Sequence, residues 1–243
     1  MGRRRNGECL ICGSTETVKS HLFPRALMLD VRADSKNVIE GSRHWDGVRF
    51  RQNGQWDDTI LCKTHEDVCG RGDDYVIDLL RSIPERELPP SEGGGVLLPN
   101  PHPDLLVHFV YSTVWRFAAA RPNTELKRSL GPYFDRIQHI IFEDAPPNLD
   151  VVFWKREFQL PGGGTARIAI PPHRQMLADR NVWLFVLSGF SFWVKTDNRP
   201  FPPLFAPILA NGRTNLIFVH GDSLPIMEVP MLHPVFARMS PKP

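Results

Sequence analysis

The rhythm of apolar and polar positions changes twice along this 243-residue chain. Up to about residue 82 the segments are short and mixed. Val48 and Phe50 alternate with Arg49 and Arg51, and a second short run follows from Trp56 to Leu61. Between them lies Gln52-Asn53-Gly54-Gln55. Asn-Gly favours the tight turns that join antiparallel strands, so the spacing predicts a hairpin pairing 48–51 with 56–61. A helix is expected next, from Cys62 to about Leu80, with Val68, Val76, Leu79 and Leu80 facing inward. Residues 83–103 hold Ile83-Pro84, Pro89-Pro90, Gly93-Gly94-Gly95 and Pro99-Asn100-Pro101. That density of breakers reads as a linker.

The second change comes after the linker. In 104–145, Leu106, Phe109, Val110, Val114 and Phe117 recur at the spacing of a buried helical face. Gly131-Pro132 ends one helix and opens another, whose stripe is Tyr133, Ile137, Ile140 and Ile141. From 150 on, the apolar runs are short and rich in β-branched and aromatic residues: 151–154, 166–170, 182–187, 190–194 and 216–219. Gly and Pro separate them, as strands are separated by turns. The fold class expected is α+β, divided as a small module over 1–82, the linker over 83–103, and a domain of helices and a small antiparallel sheet over 104–243.

Composition supports a folded chain. Hydrophobic residues make up 42%, with 15 Phe and 6 Trp, enough apolar mass for a core. The net charge of +2 is too small to name a partner, but its distribution is uneven. Residues 1–56 hold ten Lys/Arg against six Asp/Glu, a net +4, and 57–92 hold four against ten, a net −6. A basic arm that includes Arg3, Arg4, Arg5 and Arg25 suits phosphate, beside an acidic segment suited to a cation. The same charges also read as an ordinary solvated surface. The charged start, Met1-Gly2-Arg3-Arg4-Arg5, is not a secretory signal, and the most apolar stretch, 183–194, is too short to span a bilayer. A cytoplasmic protein without a membrane partner is expected.

In that compartment cysteines are more often metal ligands than disulfides. Cys9 and Cys12 form a Cys-x2-Cys pair followed by Gly13, and Cys62 and His65 repeat the spacing. Three thiolates and an imidazole suit a closed tetrahedral zinc site. Cys69, one helical turn past His65, competes as fourth ligand. A knuckle, a hairpin and a helix carrying the second pair make up a treble clef, a ββα-like layout.

Cys9-x2-Cys12-Gly13, then Ser20-His21-Leu22-Phe23-Pro24, then Ile60-Leu61-Cys62-x2-His65 resemble the pattern of HNH endonucleases with a structural zinc. The resemblance covers roughly residues 8–80. Two strings, 19–25 and 112–116, are also similar to a set of uncharacterised bacterial proteins with an HNH-like front and a helical back. The family resemblance implies that His21 is the general base that activates water against a DNA phosphodiester. The family's asparagine falls near Asp57 or Asp58, and its second metal-binding histidine falls at Glu66. Glu66 and Asp58 are therefore the candidate ligands for a catalytic Mg2+ or Mn2+, with Asp73 and Asp74 further along the helix. The partner implied is DNA, with RNA not distinguished. Both departures from the pattern motivate a second expectation, a catalytically inactive zinc module that binds nucleic acid or a protein. Trp115-Arg116 reads as a core Trp followed by a paired Arg.

Overall fold

A computed structural model of the chain describes residues 7–33, 36–41, 48–83, 95–98, 101–156, 158–159, 165, 167–220 and 224–225. The arm at Arg3–Arg5, most of the expected linker, residues 160–164 and the tail beyond 225 lie outside them.

The N-terminal module contains β1 (Ser20–His21), α1 (Arg25–Arg32), β2 (Val38–Gly41), β3 (Val48–Arg51), β4 (Trp56–Asp57) and α2 (Lys63–Ser82). The expected hairpin does not form. β3 pairs antiparallel with β2, and β4 pairs with β1, Ser20 opposite Asp57 and His21 opposite Trp56. The cause is a zipper running up to the cysteines. Val18 N–H donates to the Leu61 carbonyl, Leu22 N–H to that of Gln55, and Thr17 bridges Cys62. Residues 55–62 thus spend their hydrogen bonds on 17–22, which leaves β3 to pair with the strand before it. The turn at Asn53-Gly54 persists without its hairpin. Gly54 has φ +79°, and a Cβ there would come within 2.9 Å of Met28 Cγ, so backbone and packing both demand glycine.

The rest of the chain supplies β5 (Gly95–Leu97), α3 (Pro103–Ala119), a 3-10 turn (Arg121–Asn123), α4 (Thr124–Leu130) and α5 (Tyr133–Phe142). The strands β6 (Val151–Lys155), β7 (Phe158–Gln159), β8 (Ala169–Leu177), β9 (Arg180–Leu187) and β10 (Phe190–Lys195) follow. A second 3-10 helix (Pro203–Ile208), β11 (Ile217–His220) and β12 (Leu224–Pro225) complete it. Six strands form one sheet in the order β5-β11-β6-β10-β9-β8. Its pairings are antiparallel except β11 with β6, which run parallel. β5 arises inside the segment read as linker and forms one sheet edge. β8 forms the other edge and carries Pro171-Pro172 at a register shift, where a missing N–H costs nothing to the sheet.

Alternation along the strands divides two cores. Phe153, Phe185 and Phe192 face α3, while Val152, Val182 and Trp193 face the opposite side with Phe201 and Phe205. α3 is buried almost all round, Ser112, Thr113 and Arg116 included. It lies between the N-terminal module and the sheet. Phe23, from the Ser-His-Leu-Phe-Pro string, reaches Phe117 of α3 at 4.7 Å and Phe185 of β9 at 5.8 Å between ring centroids. One continuous core therefore runs from Cys9 to Leu216, across the boundary expected at 83–103. Among the described residues no helix is long and apolar enough to cross a membrane.

Candidate metal centre and the polar cluster beside it

The sequence turns tightly at Cys9-Leu10-Ile11-Cys12 because Gly13 N–H returns to the Cys9 carbonyl (2.8 Å) and Cys9 N–H reaches that of Ser14 (2.8 Å). Gly13 takes φ +72°, a left-handed turn that glycine adopts without strain. Leu10 N–H donates to the Ile60 carbonyl and pins this turn against the second half of the site. Cys62 is the N-cap of α2 and His65 lies in its first turn.

The four ligand atoms converge. The Sγ atoms of Cys9, Cys12 and Cys62 and a ring nitrogen of His65 all lie within 4.8 Å of one another. Cys9 Sγ is 3.5 Å and Cys62 Sγ 3.2 Å from His65 Nδ1, and Cys12 Sγ is 3.8 Å from Cys62 Sγ. These residues are placed to hold one metal ion. Burial pushes the Cys9 thiol up, but the backbone N–H groups of Cys12, Cys62 and Ile11 outweigh it and bring it below its ordinary value. The Ser14 N–H draws the Cys12 thiol down, but burial and its neighbours Cys9 and Cys62 outweigh it and leave it raised. Cys69 does not join them. It is 0% exposed on α2, and burial pushes its thiol up to about 12. His65 is the residue that completes the set of three cysteines.

Behind the clip, α2 and α3 face each other through a stripe of polar side chains. α2 contributes Glu66, Cys69 and Asp73, three and four residues apart, and α3 contributes His108, Ser112 and Arg116, each four apart. That spacing places each set on one helical face. Arg116 is 0% exposed, and its guanidinium donates to both Asp73 oxygens at 2.7 Å. Burial opposes the Arg116 charge, yet Asp73 holds its pKa above the ordinary value. Burial likewise pushes the Asp73 carboxyl up and the guanidinium pulls it back. Two charge-assisted bonds of this geometry favour the charged forms of both partners, although burial leaves the carboxyl above its ordinary value.

The candidate catalytic residues separate. Ser20 Oγ donates to Glu66 Oε2 at 2.5 Å, which ties β1 to the first turn of α2 and brings Glu66 beside the His21 segment. Burial raises the Glu66 carboxyl despite the attraction of Arg116. His21 is half-buried, and its Nε2 is shielded from solvent without a hydrogen-bond partner among the described residues. Burial lowers its pKa to about 4, with the positive charges of Lys19, Arg25 and Arg116 adding to the effect. Of the two positions at which the family's asparagine is expected, Asp57 is spent on structure. Its carboxylate accepts from Thr59 N–H (2.8 Å), Thr59 Oγ (2.5 Å) and Arg121 N–H (3.0 Å). Asp58 offers its backbone carbonyl to Thr17 Oγ (2.6 Å), and its carboxylate has no hydrogen bond among the described residues.

The core Trp115 and paired Arg116 are found as expected, with Asp73 as the partner, and the His108–Ser112 contact is the part of the cluster that the motifs did not indicate. Its signal was present as polar residues at 108, 112 and 116 on an otherwise apolar helix, repeating every four positions. Comparison with known proteins adds no relative: no family model, no curated protein and no solved structure matches the chain.

Proposed function

We propose that residues 7–82 are an HNH-like, treble-clef module with one structural zinc, and that it binds nucleic acid without cutting it. Zinc fits the donor set. A tetrahedron with Zn–S of about 2.3 Å and Zn–N of about 2.0 Å has edges of about 3.8 Å between sulfurs and about 3.5 Å between sulfur and nitrogen. The separations of 3.8 and 3.5 Å match it, and the third, 3.2 Å, is shorter by a few tenths. Four protein ligands leave no open position for chemistry on that ion. Its role is to close a loop of more than fifty residues in a segment with little core of its own.

The observation that carries the non-catalytic reading is Arg116. Its buried charge acts on Glu66, Cys69 and His21 at once. A nuclease of this type needs a divalent cation beside Glu66. Asp73, the second carboxylate on that face, is already neutralised by Arg116, and Asp57 is committed to Thr59 and Arg121. These two carboxylates that would share a cation with Glu66 are thus already spent on other partners. Nucleic acid is the partner because the described residues from 19 to 56 carry Lys19, Arg25, Arg32, Lys36, Arg49 and Arg51 against Asp30 and Glu40 only.

A second reading is a metal-dependent endonuclease with His21 as base and Glu66 with Asp58 holding Mg2+ or Mn2+. It draws on the pairing of β1 with β4 and on the Ser20–Glu66 bond, which bring His21 and Glu66 to one end of the module. The two readings part in one assay. Zinc-loaded protein is incubated with plasmid and linear DNA, with and without Mg2+ or Mn2+, while retention of the DNA is followed on native gels. Retarded but intact DNA in every condition is expected. Cleavage that requires Mg2+ or Mn2+ and disappears in His21→Ala would overturn the non-catalytic reading in favour of the second.

A further inference from the structure

The four cysteines differ in access. Cys9 is 2% exposed, Cys62 7% and Cys69 0%, whereas Cys12 lies at the surface. Cys12 ends the knuckle turn and lines an open cleft whose walls also include Cys62, Lys63 and His65. The metal clip therefore has one face toward solvent, and Cys12 is the exposed ligand on it. Coordination holds a ligating cysteine as thiolate. Thiolate character and exposure together decide which cysteine an oxidant reaches.

A second sulfur stands beside it. Cys12 Sγ is 3.8 Å from Cys62 Sγ. Cys62 is held in place as the N-cap of α2, with its carbonyl accepting from Glu66 N–H (2.9 Å) and Thr17 bridging it from the other strand. Cys12 has more room. Gly13 follows it at φ +72°, and a Cβ there would meet nothing within 4 Å. Movement of this open turn toward a stationary Cys62 is what closes the gap to a disulfide distance of about 2.0 Å. Cys69 is not part of the group of sulfurs that converge on His65.

We propose that Cys12 is an oxidant-accessible modification site, at which a peroxide converts the metal clip into a Cys12–Cys62 disulfide and releases the ion. This rests on the zinc reading above. The Cys12 thiolate attacks one peroxide oxygen. An S–O bond forms, the O–O bond breaks, and the leaving hydroxide takes a proton to become water. The Cys62 thiolate then attacks the Cys12 sulfur. An S–S bond forms, the S–O bond breaks, and a second hydroxide leaves and is protonated to water. The two thiolates give up two electrons in all, and the peroxide is reduced to two waters. The ion has then lost two of its four ligands, and Cys9 with His65 no longer makes a closed tetrahedral site. The disulfide ties the same two segments that the ion tied, so the knuckle stays joined to the start of α2. A thiol reductant returns the pair to its metal-binding form.

The test uses the full zinc-loaded chain with hydrogen peroxide as the probe. Zinc release is followed with a chromogenic chelator, and cysteine pairing by mass spectrometry of peptides after alkylation. Zinc is expected to leave as the Cys12–Cys62 disulfide forms, and dithiothreitol with added zinc should restore the starting metal content. Cys69→Ser should release zinc at the wild-type rate. Cys12→His, which keeps a ligand at that position, should release it about tenfold more slowly, because the remaining sulfurs are buried. A brief exposure of wild type to N-ethylmaleimide reads access without relying on that variant, and it should label Cys12 first. Zinc that stays bound through peroxide treatment, zinc loss without the Cys12–Cys62 disulfide, or first labelling at Cys9, Cys62 or Cys69 would each overturn the proposal while leaving the zinc reading intact. Wild-type release from zinc-loaded Cys12→His would do the same. Reduced protein that holds no zinc would overturn the zinc reading itself.

Discussion

His65 and Cys69 are four residues apart on the same helix, yet their environments assign them opposite roles. His65 points its Nδ1 at the thiolates of Cys9 and Cys62, whereas Cys69 is enclosed between α2 and α3 with its thiol pushed up to about 12. A thiol held that high stays protonated and inert as a ligand or nucleophile at neutral pH. The two are therefore separable by substitution. Metal analysis of purified protein should give one zinc per chain for wild type and for Cys69→Ser, and close to none for Cys62→Ser. Loss of zinc from Cys69→Ser, with His65→Ala retaining it, would place the fourth ligand one turn further along α2. At this scale the sequence was most legible where chemistry depends on local spacing. The repeated x2 interval identified the three cysteines and His65, because a turn or a helix start fixes such neighbours without reference to the rest of the fold. It was less legible at Asp57 and Asp58, where one position decides whether a carboxylate faces Thr59 and Arg121 or solvent. It was silent on the partner of Arg116, because Asp73 lies 43 positions away on another helix.

The crossing of α2 and α3 sets the geometry of the polar cluster, and a glycine permits it. A Cβ on Gly72 would meet Phe109 N at 2.7 Å and Phe109 Cα at 2.9 Å, backbone atoms that do not yield to a rotamer change. Two residues earlier, a Cβ on Gly70 would meet nothing within 4 Å. Both glycines carry the same intrinsic penalty, about 1 kcal/mol relative to alanine in a helix interior. Packing decides the sign. Gly70→Ala should stabilise the protein by up to about 1 kcal/mol. Gly72→Ala should destabilise it by about 1–3 kcal/mol, because forcing the helices apart strains a packed core. Urea midpoints for the two variants provide the comparison, and a stabilised Gly72→Ala would contradict the close crossing. The same contrast explains what was readable among the elements. The apolar stripe of α3 and the short strands from 151 to 219 follow from local periodicity, and they stand close to where that periodicity put them. The partner of a two-residue strand does not follow from periodicity. The zipper between 17–22 and 55–62 is a long-range arrangement ending at the cysteines, and it overrode the local hairpin signal of Asn53-Gly54.

Across the whole molecule, the N-terminal module, α3 and the sheet share one core, so the polar cluster lies inside the cooperative structure, and its protonation is coupled to global stability. Two of its histidines are held neutral. Burial lowers His21 and His108 to about 4 each, with Arg116 adding to both, Lys19 and Arg25 adding to His21, and Arg71 adding to His108. Asp104 opposes the shift at His108, but by less than burial and the two arginines together. In the unfolded chain both titrate near 6.5. Above pH 6.5 neither state binds these protons, and the histidines contribute no pH dependence. Between pH 6.5 and 4 the unfolded chain binds them and the folded chain does not, so stability falls as pH falls. Below pH 4 both states are protonated and the loss is complete. With both side chains partly solvated, the combined loss is on the order of 3 kcal/mol. Acid also protonates the thiolates and releases metal, which destabilises the fold in the same direction. A difference measurement separates the two causes. His108→Gln removes one titrating group and leaves the metal ligands untouched. Urea unfolding at pH 7 and pH 5 should show a smaller loss for His108→Gln than for wild type, with the metal contribution cancelling between them. Equal losses in the two proteins would mean that His108 contributes nothing to the acid sensitivity.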